Sequence, residues 1–280
     1  MKFGWGKGLF DKPDNTIELE DTYFEKLVDT EKVWKIFNDV LNSSLNHIEL
    51  DFTKCNNISN TGLTILAALG PLCESKERKI SIEFGNKTDW TKKLTKYAPF
   101  TQTKVNKLKG IPFNLFKIED EIPVMLEDLK LIDEISKLDP LVQSEISSRL
   151  YELCTNASEH GKNNIGTVCN GTYDNNYLTF TVFDFGNGIK ENVNLHLGKE
   201  LSTEEAVRWA FKSTNSTAQS LAMPRGAGFT TTFDFVKKFN GQFILYTGDI
   251  SCRFNKGKFY FKKLDFSVLG TLITVTLDLS

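Results

Sequence analysis

The sequence has no apolar run long enough to cross a membrane as a helix. Its longest stretches without a charged residue, 62–73 and 266–277, are about a dozen residues each, whereas a spanning helix needs roughly 20. The N-terminal segment MKFGWGKGLF also lacks the apolar core and the small-residue cleavage site of a secretory signal. We therefore expect a cytoplasmic protein that makes no membrane contact.

The sequence also lacks an excess of charge and any regular spacing of cysteines. Its 34 Lys and Arg nearly balance its 36 Asp and Glu, for a net charge of -2, so it has no basic field to bind a phosphate backbone. The 5 cysteines are an odd number and form no C-x-x-C motif. This argues against nucleic-acid binding, a disulfide framework and a zinc site, and it predicts buried, reduced thiols.

The first part of the chain shows an alternation of helix and strand patterns. Apolar residues recur every three or four positions over 30–45, which predicts a helix. Apolar and polar residues alternate over 48–52 and 79–84, which predicts strands, while the segments 63–72 and 90–97 predict helices. Such alternation is typical of an α/β fold.

An acidic segment containing Pro123 separates this part from the rest of the chain. We place the boundary near residue 120 and predict two domains, 1–120 and 121–280, as the length of 280 residues also suggests. Downstream, Asp139 and Pro140 are suited to start a helix that runs to about His160. Two strands, a glycine loop, two helices and three final strands are predicted to follow.

One face of the predicted helix ending at His160 carries a polar row. Glu152, Asn156 and His160 lie four residues apart, so they project from successive turns. Carboxylate and amide oxygens suit Mg²⁺, which prefers oxygen ligands and keeps much of its hydration. The alternative is a solvated helix edge.

The motif DFGNGI follows a predicted strand and combines an acid with two glycines. Asp184 at the strand end could accept a hydrogen bond from an amino group, and Gly186 and Gly188 permit close approach of a flat ligand or phosphate. The alternative is an ordinary turn at the end of a strand. A third motif, RGAGF, places Arg225, Gly226 and Gly228 at the start of a helix, where free N–H groups favour anions.

Together and in this order, ELCTNASEHG, DFGNGI and RGAGF resemble the N, G1 and G2 boxes of the GHKL ATPases. The resemblance covers about residues 125–280 and is nearest the serine kinases of bacterial anti-sigma-factor systems. It implies a GHKL (Bergerat) α/β sandwich with a mixed sheet that binds ATP and Mg²⁺.

The resemblance also implies roles for individual residues. Glu152 corresponds to the general base, Asn156 to the Mg²⁺ ligand and Asp184 to the acceptor for the adenine amino group. The other positions implied are the adenine pocket at Gly186, Gly188 and Thr271, the phosphate loop at Gly226 and Gly228, and phosphate contacts at Arg225 and His160.

A second resemblance lies in the first domain. Residues 48–69 are similar to the strand, loop and helix of STAS domains, the fold of anti-sigma-factor antagonists, in which a D-S-S-G-like motif carries the phosphorylated serine. The aligned residues here are Ser59, Asn60, Thr61 and Gly62, so the leading acid is absent and a threonine occupies the acceptor place. Thr61 and Ser59 are candidate phosphoacceptors, and the alternative is that one of them caps a helix.

Three functions follow from these resemblances. The first is a protein serine/threonine kinase or partner-switching regulator, in which a STAS-like domain precedes a GHKL domain. The second is an ATP-hydrolysing conformational switch, and the third is a nucleotide sensor that controls a protein interface. Glu152 weighs against the third, because simple nucleotide binding needs no base. The expected partner is a protein, such as a STAS or other regulatory protein, and a homodimer is allowed.

Overall fold

The computed structural model describes residues 2–4, 16–18, 27–52, 58–84, 113–117, 119–161, 163–212 and 228–280. The chain divides into two compact units, Met1–Thr103 and Lys104–Ser280. The predicted helix at 90–97 lies outside the described residues. No helix in the described ranges is long and apolar enough to cross a membrane.

The first unit is an α/β structure with a small sheet. Its elements are β1 (Lys2–Gly4), β2 (Thr16–Glu18), α1 (Leu27–Asn42), β3 (His47–Phe52), α2 (Asn60–Ser75) and β4 (Lys79–Phe84). The sheet order is β1-β4-β3-β2, in which β3 pairs in parallel with β2 and β4, while β1 pairs antiparallel with β4. The helix–strand–helix–strand order predicted over residues 30–84 is confirmed.

The core of the first unit lies between β3 and the two helices. The alternating residues Ile48, Leu50 and Phe52 of β3 are buried, as are Trp34 and Phe37 of α1. Every residue of α2 from 61 to 73 is buried, because this helix is apolar around its whole circumference.

The second unit contains a larger sheet and most of the helices. Its elements are β5 (Asn114–Phe116), α3 (Ile122–Leu126), α4 (Asp133–Ser136), α5 (Pro140–Gly161), β6 (Thr167–Asp174), β7 (Tyr177–Asp184), α6 (Gly188–Leu197), α7 (Thr203–Ala210), α8 (Gly228–Lys238), β8 (Gln242–Asn255) and β9 (Lys258–Asp278). Because β5 pairs with β6, this unit begins earlier in the chain than the boundary near residue 120.

The sheet of the second unit differs from the mixed sheet that we expected. Its order is β5-β6-β7-β9-β8, and each neighbouring pair of these described strands is antiparallel. Two of the pairings are hairpins, whose tight turns at 175–176 and 256–257 contain residues with positive φ. A strand that returns through so short a turn must pair antiparallel. The prediction of a mixed sheet is therefore wrong for the described strands.

The expectation of three final strands is also corrected, because β8 and β9 form one long hairpin of 14 and 21 residues. Gly270 lies inside β9. In the structure its φ of +69° lets β9 pass through this point without ending. The register of β8 shifts nearby, around Gly248.

Helix α5 packs against the second sheet, on β6, β7 and β9. One face of α5 is an apolar stripe directed at the core, with Ile146, Leu150, Leu153 and Ala157 buried. The predicted helix is thus confirmed. Its polar row lies beside this stripe and is half-buried at the margin of the core.

Candidate functional site

Asp184 is the last residue of β7 and lies in the interior, with 4% of its surface exposed. It stands opposite Thr271 of β9, whose backbone and side chain both hydrogen-bond to the Asp184 carboxyl. The backbone N–H of Gly186 donates to Oδ1 of Asp184 at 2.8 Å. Burial raises the pKa of Asp184 from 3.8 to about 7, and these hydrogen bonds only partly offset that effect.

Two glycines allow other backbone segments to approach Asp184 closely. A Cβ on Gly186 would lie 2.6 Å from the carbonyl oxygen of Gly161, the last residue of α5. A Cβ on Gly270 would lie 1.9 Å from the carbonyl oxygen of Asp184. The end of α5, the loop after β7 and the strand β9 therefore meet at this carboxylate because glycine occupies both positions.

Thr247 fixes the start of α6 beside the same group of residues. It is fully buried in β8, and its hydroxyl donates to the carbonyl oxygen of Gly270 at 3.1 Å. The same hydroxyl accepts from the backbone N–H of Ile189 at 3.2 Å. Gly188 has a φ of +79°, and a Cβ there would lie 2.8 Å from the Thr247 hydroxyl. Thr247 could not be predicted from the sequence, because a single threonine in a strand carries no distinctive signal.

The polar row of α5 leads away from Asp184. A Cβ on Gly161 would lie 3.1 Å from the Asp184 Cβ, so the C-terminal end of α5 is at this site. At 1.5 Å per residue, Asn156 and Glu152 lie roughly 7 and 13 Å back along the helix axis. Glu152, Asn156 and His160 are all half-buried. The row therefore borders the region beside Asp184.

His160 and Glu152 are also in contact with neighbouring residues. The carbonyl oxygen of His160 accepts from the side-chain amide of Asn192 in α6 at 3.4 Å. The guanidinium of Arg149 donates to Oε2 of Glu152 at 2.8 Å. Arg149 was not among the site residues predicted from the sequence.

Helix α8 points its first turn toward the Asp184 end of the sheet. At its other end, Lys238 pairs with Glu145 in the first half of α5, and the carbonyl oxygen of Phe239 accepts from the N–H of Asp278. Asp278 pairs with Tyr177 at the opposite end of β7 from Asp184. Helices α5 and α8 therefore run in opposite directions, and α8 begins at Gly228 on the same side as Asp184.

This orientation gives the site an electropositive helix start. Unpaired N–H groups in the first turn of a helix favour a bound anion. Gly228 begins an 11-residue helix, whose first turn would supply such N–H groups. Arg225 and Gly226 lie outside the described residues.

The candidate residues of the first unit are engaged in its fold. Ser59 is the N-cap of α2, and its hydroxyl accepts from the N–H of Gly62 at 2.7 Å. The predicted alternative, that Ser59 caps a helix, is confirmed. Thr61 in the first turn is 8% exposed, so little of it is open to solvent.

The described residues contain no group of three or more His, Cys, Asp or Glu side chains that could hold a metal ion. Their cysteines, Cys73, Cys154, Cys169 and Cys252, are buried free thiols, as predicted. Burial raises the pKa of Cys73 to about 11 and that of Cys252 to about 12, so both stay protonated near neutral pH.

Comparison with protein-family models and with curated protein sequences finds no match to this chain.

Proposed function

We propose that this chain is a GHKL-type protein that binds ATP with Mg²⁺ at the Asp184 end of the second sheet. Its proposed activity is that of an anti-sigma-factor-like protein serine/threonine kinase or partner-switching regulator. The observation that carries the proposal is the convergence of four features at one sheet end: the buried Asp184 carboxyl, the glycine-lined end of α5, the start of α8 and Thr271.

Asp184 is suited to recognise the exocyclic amino group of adenine. The carboxyl is buried, and burial disfavours its charged form, since its pKa is raised to about 7. A ligand amino group would supply a further hydrogen-bond donor and favour the ionised acceptor. Guanine presents a carbonyl oxygen at the equivalent position, so the same carboxylate would disfavour it.

The residues beside Asp184 fit a magnesium ion that is held mainly by phosphates and water. Mg²⁺ sites in nucleotide-binding proteins often use only one or two protein oxygens. Asn156 offers one amide oxygen on the half-buried row of α5. When bound there, Mg²⁺ would neutralise charge on the phosphates and orient them.

Glu152 is the proposed general base. Its carboxylate would accept the proton of a serine or threonine hydroxyl as that oxygen attacks the terminal phosphorus. The first-turn N–H groups of α8, beginning at Gly228, would hold phosphate oxygens, and Arg225, Gly226 and His160 are proposed phosphate contacts.

The second candidate function is an ATP-hydrolysing conformational switch or a nucleotide sensor. It is favoured by one observation in the first, proposed STAS-like unit, where Ser59 is used as a helix cap and Thr61 is buried. Neither hydroxyl is presented as an open acceptor. The acceptor in our proposal is therefore a separate regulatory protein, and water would replace it if the chain is a switch.

The test is to follow the terminal phosphate. The full chain is incubated with Mg²⁺ and γ-labelled ATP, alone and together with a STAS-domain regulatory protein as acceptor, and the label is located by autoradiography and phosphosite mass spectrometry. ATP binding is measured separately by calorimetry. Label on a serine or threonine of a protein supports the kinase, and label only in free phosphate supports the switch. No ATP binding would contradict the proposal.

A further inference from the structure

The polar row of α5 has a fourth member, Arg149. With 3.6 residues per turn, Arg149 projects roughly 60° from Glu152 around the helix, which is inside the arc of roughly 80° from Glu152 to His160. It is half-buried, like the other members of the row. A cation thus stands on the same face as the proposed base and the proposed metal ligand.

Arg149 is held against one oxygen of Glu152. Its guanidinium donates to Oε2 at 2.8 Å, and each side chain is 31% exposed. The pair at Lys130 and Glu127 has the same distance and the same three-residue spacing, but its side chains are 63% and 67% exposed. The Arg149–Glu152 pair is therefore better shielded from water than this otherwise similar pair.

The contact between Arg149 and Glu152 affects how Glu152 could act as a base. A carboxylate that takes a proton needs one oxygen free and directed at the donor, and rotation about the terminal side-chain bond would exchange its two oxygens. The Arg149 contact occupies Oε2 and opposes that rotation, which leaves Oε1 to accept the proton. A guanidinium suits this task, because its N–H groups are fixed in a plane.

We propose that Arg149 is a positioning residue that orients the Glu152 carboxylate for proton transfer. This inference rests on the proposed function, since it assigns a role within the same reaction. A merely structural role is the alternative, because an ion pair at this spacing also supports a helix slightly.

The experiment measures kcat and KM for ATP consumption, as hydrolysis plus transfer, in the full chain and in Arg149→Met, Arg149→Lys and Lys130→Met. ATP affinity and the unfolding temperature are measured for each. We expect Arg149→Met to lower kcat roughly tenfold with KM unchanged within about twofold, because orientation is lost and binding is not. Arg149→Lys should recover part of the loss, and Lys130→Met should behave like the natural chain.

A double variant separates positioning from other effects. If Arg149 acts through Glu152, then Arg149→Met should have no further effect on kcat once Glu152→Gln is present. Equal proportional losses in both backgrounds would overturn the inference, as would a kcat of Arg149→Met equal to that of the natural chain.

If the natural chain does not bind ATP, the proposed function is overturned and this inference with it. If it binds ATP but does not consume it, the base has no step to assist, and the inference is overturned while nucleotide binding stands.

Discussion

Ser59 in the first unit and Asp184 in the second are both polar residues at the boundary of an element, and both are followed closely by a glycine. Ser59 precedes the start of α2 and Asp184 ends β7, and their surroundings differ. The Ser59 hydroxyl accepts a hydrogen bond from a free N–H at the start of α2 and so stabilises that helix. The Asp184 carboxyl is buried where its charged form is disfavoured, and its pKa is raised to about 7. The Ser59 hydroxyl stabilises the helix that it caps, whereas ionisation of the buried Asp184 carboxyl destabilises the folded state.

This difference distinguishes a polar residue that serves the fold from one that is a candidate for ligand binding. The position of Ser59 is explained by helix capping alone. The Asp184 carboxyl is buried where its ionisation is disfavoured, which is typical of a group that binds a ligand. We therefore expect changes in the second unit to alter ligand chemistry, and changes at Ser59 to alter stability alone.

The first prediction concerns the close approach of β9 to Asp184. Gly270→Ala should destabilise the second unit by more than about 4 kcal/mol, because it combines a positive φ with a backbone clash. Gly257→Ala is the matched control: its φ of +74° is similar, but a Cβ there meets nothing within 4 Å. It should cost only about 1 to 2 kcal/mol. Denaturant unfolding measures both, and equal effects would contradict the described packing.

The second prediction separates binding from turnover. Glu152→Gln should lower the rate of phosphate release or transfer by at least about 100-fold, because it removes the proposed base while keeping its shape. ATP affinity, measured by calorimetry, should stay within about threefold of the natural value. Glu134→Gln on α4 is the control and should leave both quantities unchanged. An unchanged rate in Glu152→Gln would show that the base assignment is wrong.

The third prediction is a pH dependence of stability due to Asp184. Because its pKa is raised on folding, the folded state binds the proton more tightly than the unfolded state, and stability is lost as pH rises from about 4 through about 7. Without ligand, the stability of the natural chain relative to Asp184→Asn should fall by about 2 to 3 kcal/mol between pH 5 and pH 8.

Denaturant unfolding of both chains at the two pH values measures this difference. Asp174→Asn, at the exposed opposite end of the β6–β7 hairpin, is the control and should not show the change. A difference between the natural chain and Asp184→Asn that does not vary with pH would contradict the burial of Asp184.

The smallest effect is expected in the first unit. Ser59→Ala should lower stability by about 1 kcal/mol, because α2 loses its N-cap. Ser44→Ala, at an exposed position after α1, is the control and should have little effect. Neither variant should change ATP affinity in a thermal-shift or calorimetric titration. A loss of ATP binding in Ser59→Ala would contradict the contrast between the two units.

Much of the fold could be predicted from periodicity, and the exceptions have physical causes. The helix α5 and the strands β3, β4, β6 and β7 have clear patterns. Helix α6 was missed, because its glycine-led start resembles a loop and its only buried apolar side chains are Ile189 and Val193.

The site was less predictable than the fold. Asp184 and the α5 row stood out as polar groups beside apolar patterns, and the structure places the C-terminal end of α5, from which the row leads back, beside Asp184. Thr247 and Gly270 could not be assigned, because their roles depend on contacts between strands that are distant in sequence. Arg149 was overlooked because it is three residues before Glu152, whereas the row was defined by a spacing of four.

The most direct test of the central claim is calorimetric titration of ATP and GTP, each with Mg²⁺, into the natural full chain and Asp184→Asn. We expect the natural chain to bind ATP and to prefer it to GTP by at least about tenfold, and we expect Asp184→Asn to lose roughly 100-fold in ATP affinity. Equal ATP binding by the two chains, or no binding of ATP by the natural chain, would contradict the claim that the Asp184 end of the sheet recognises adenine.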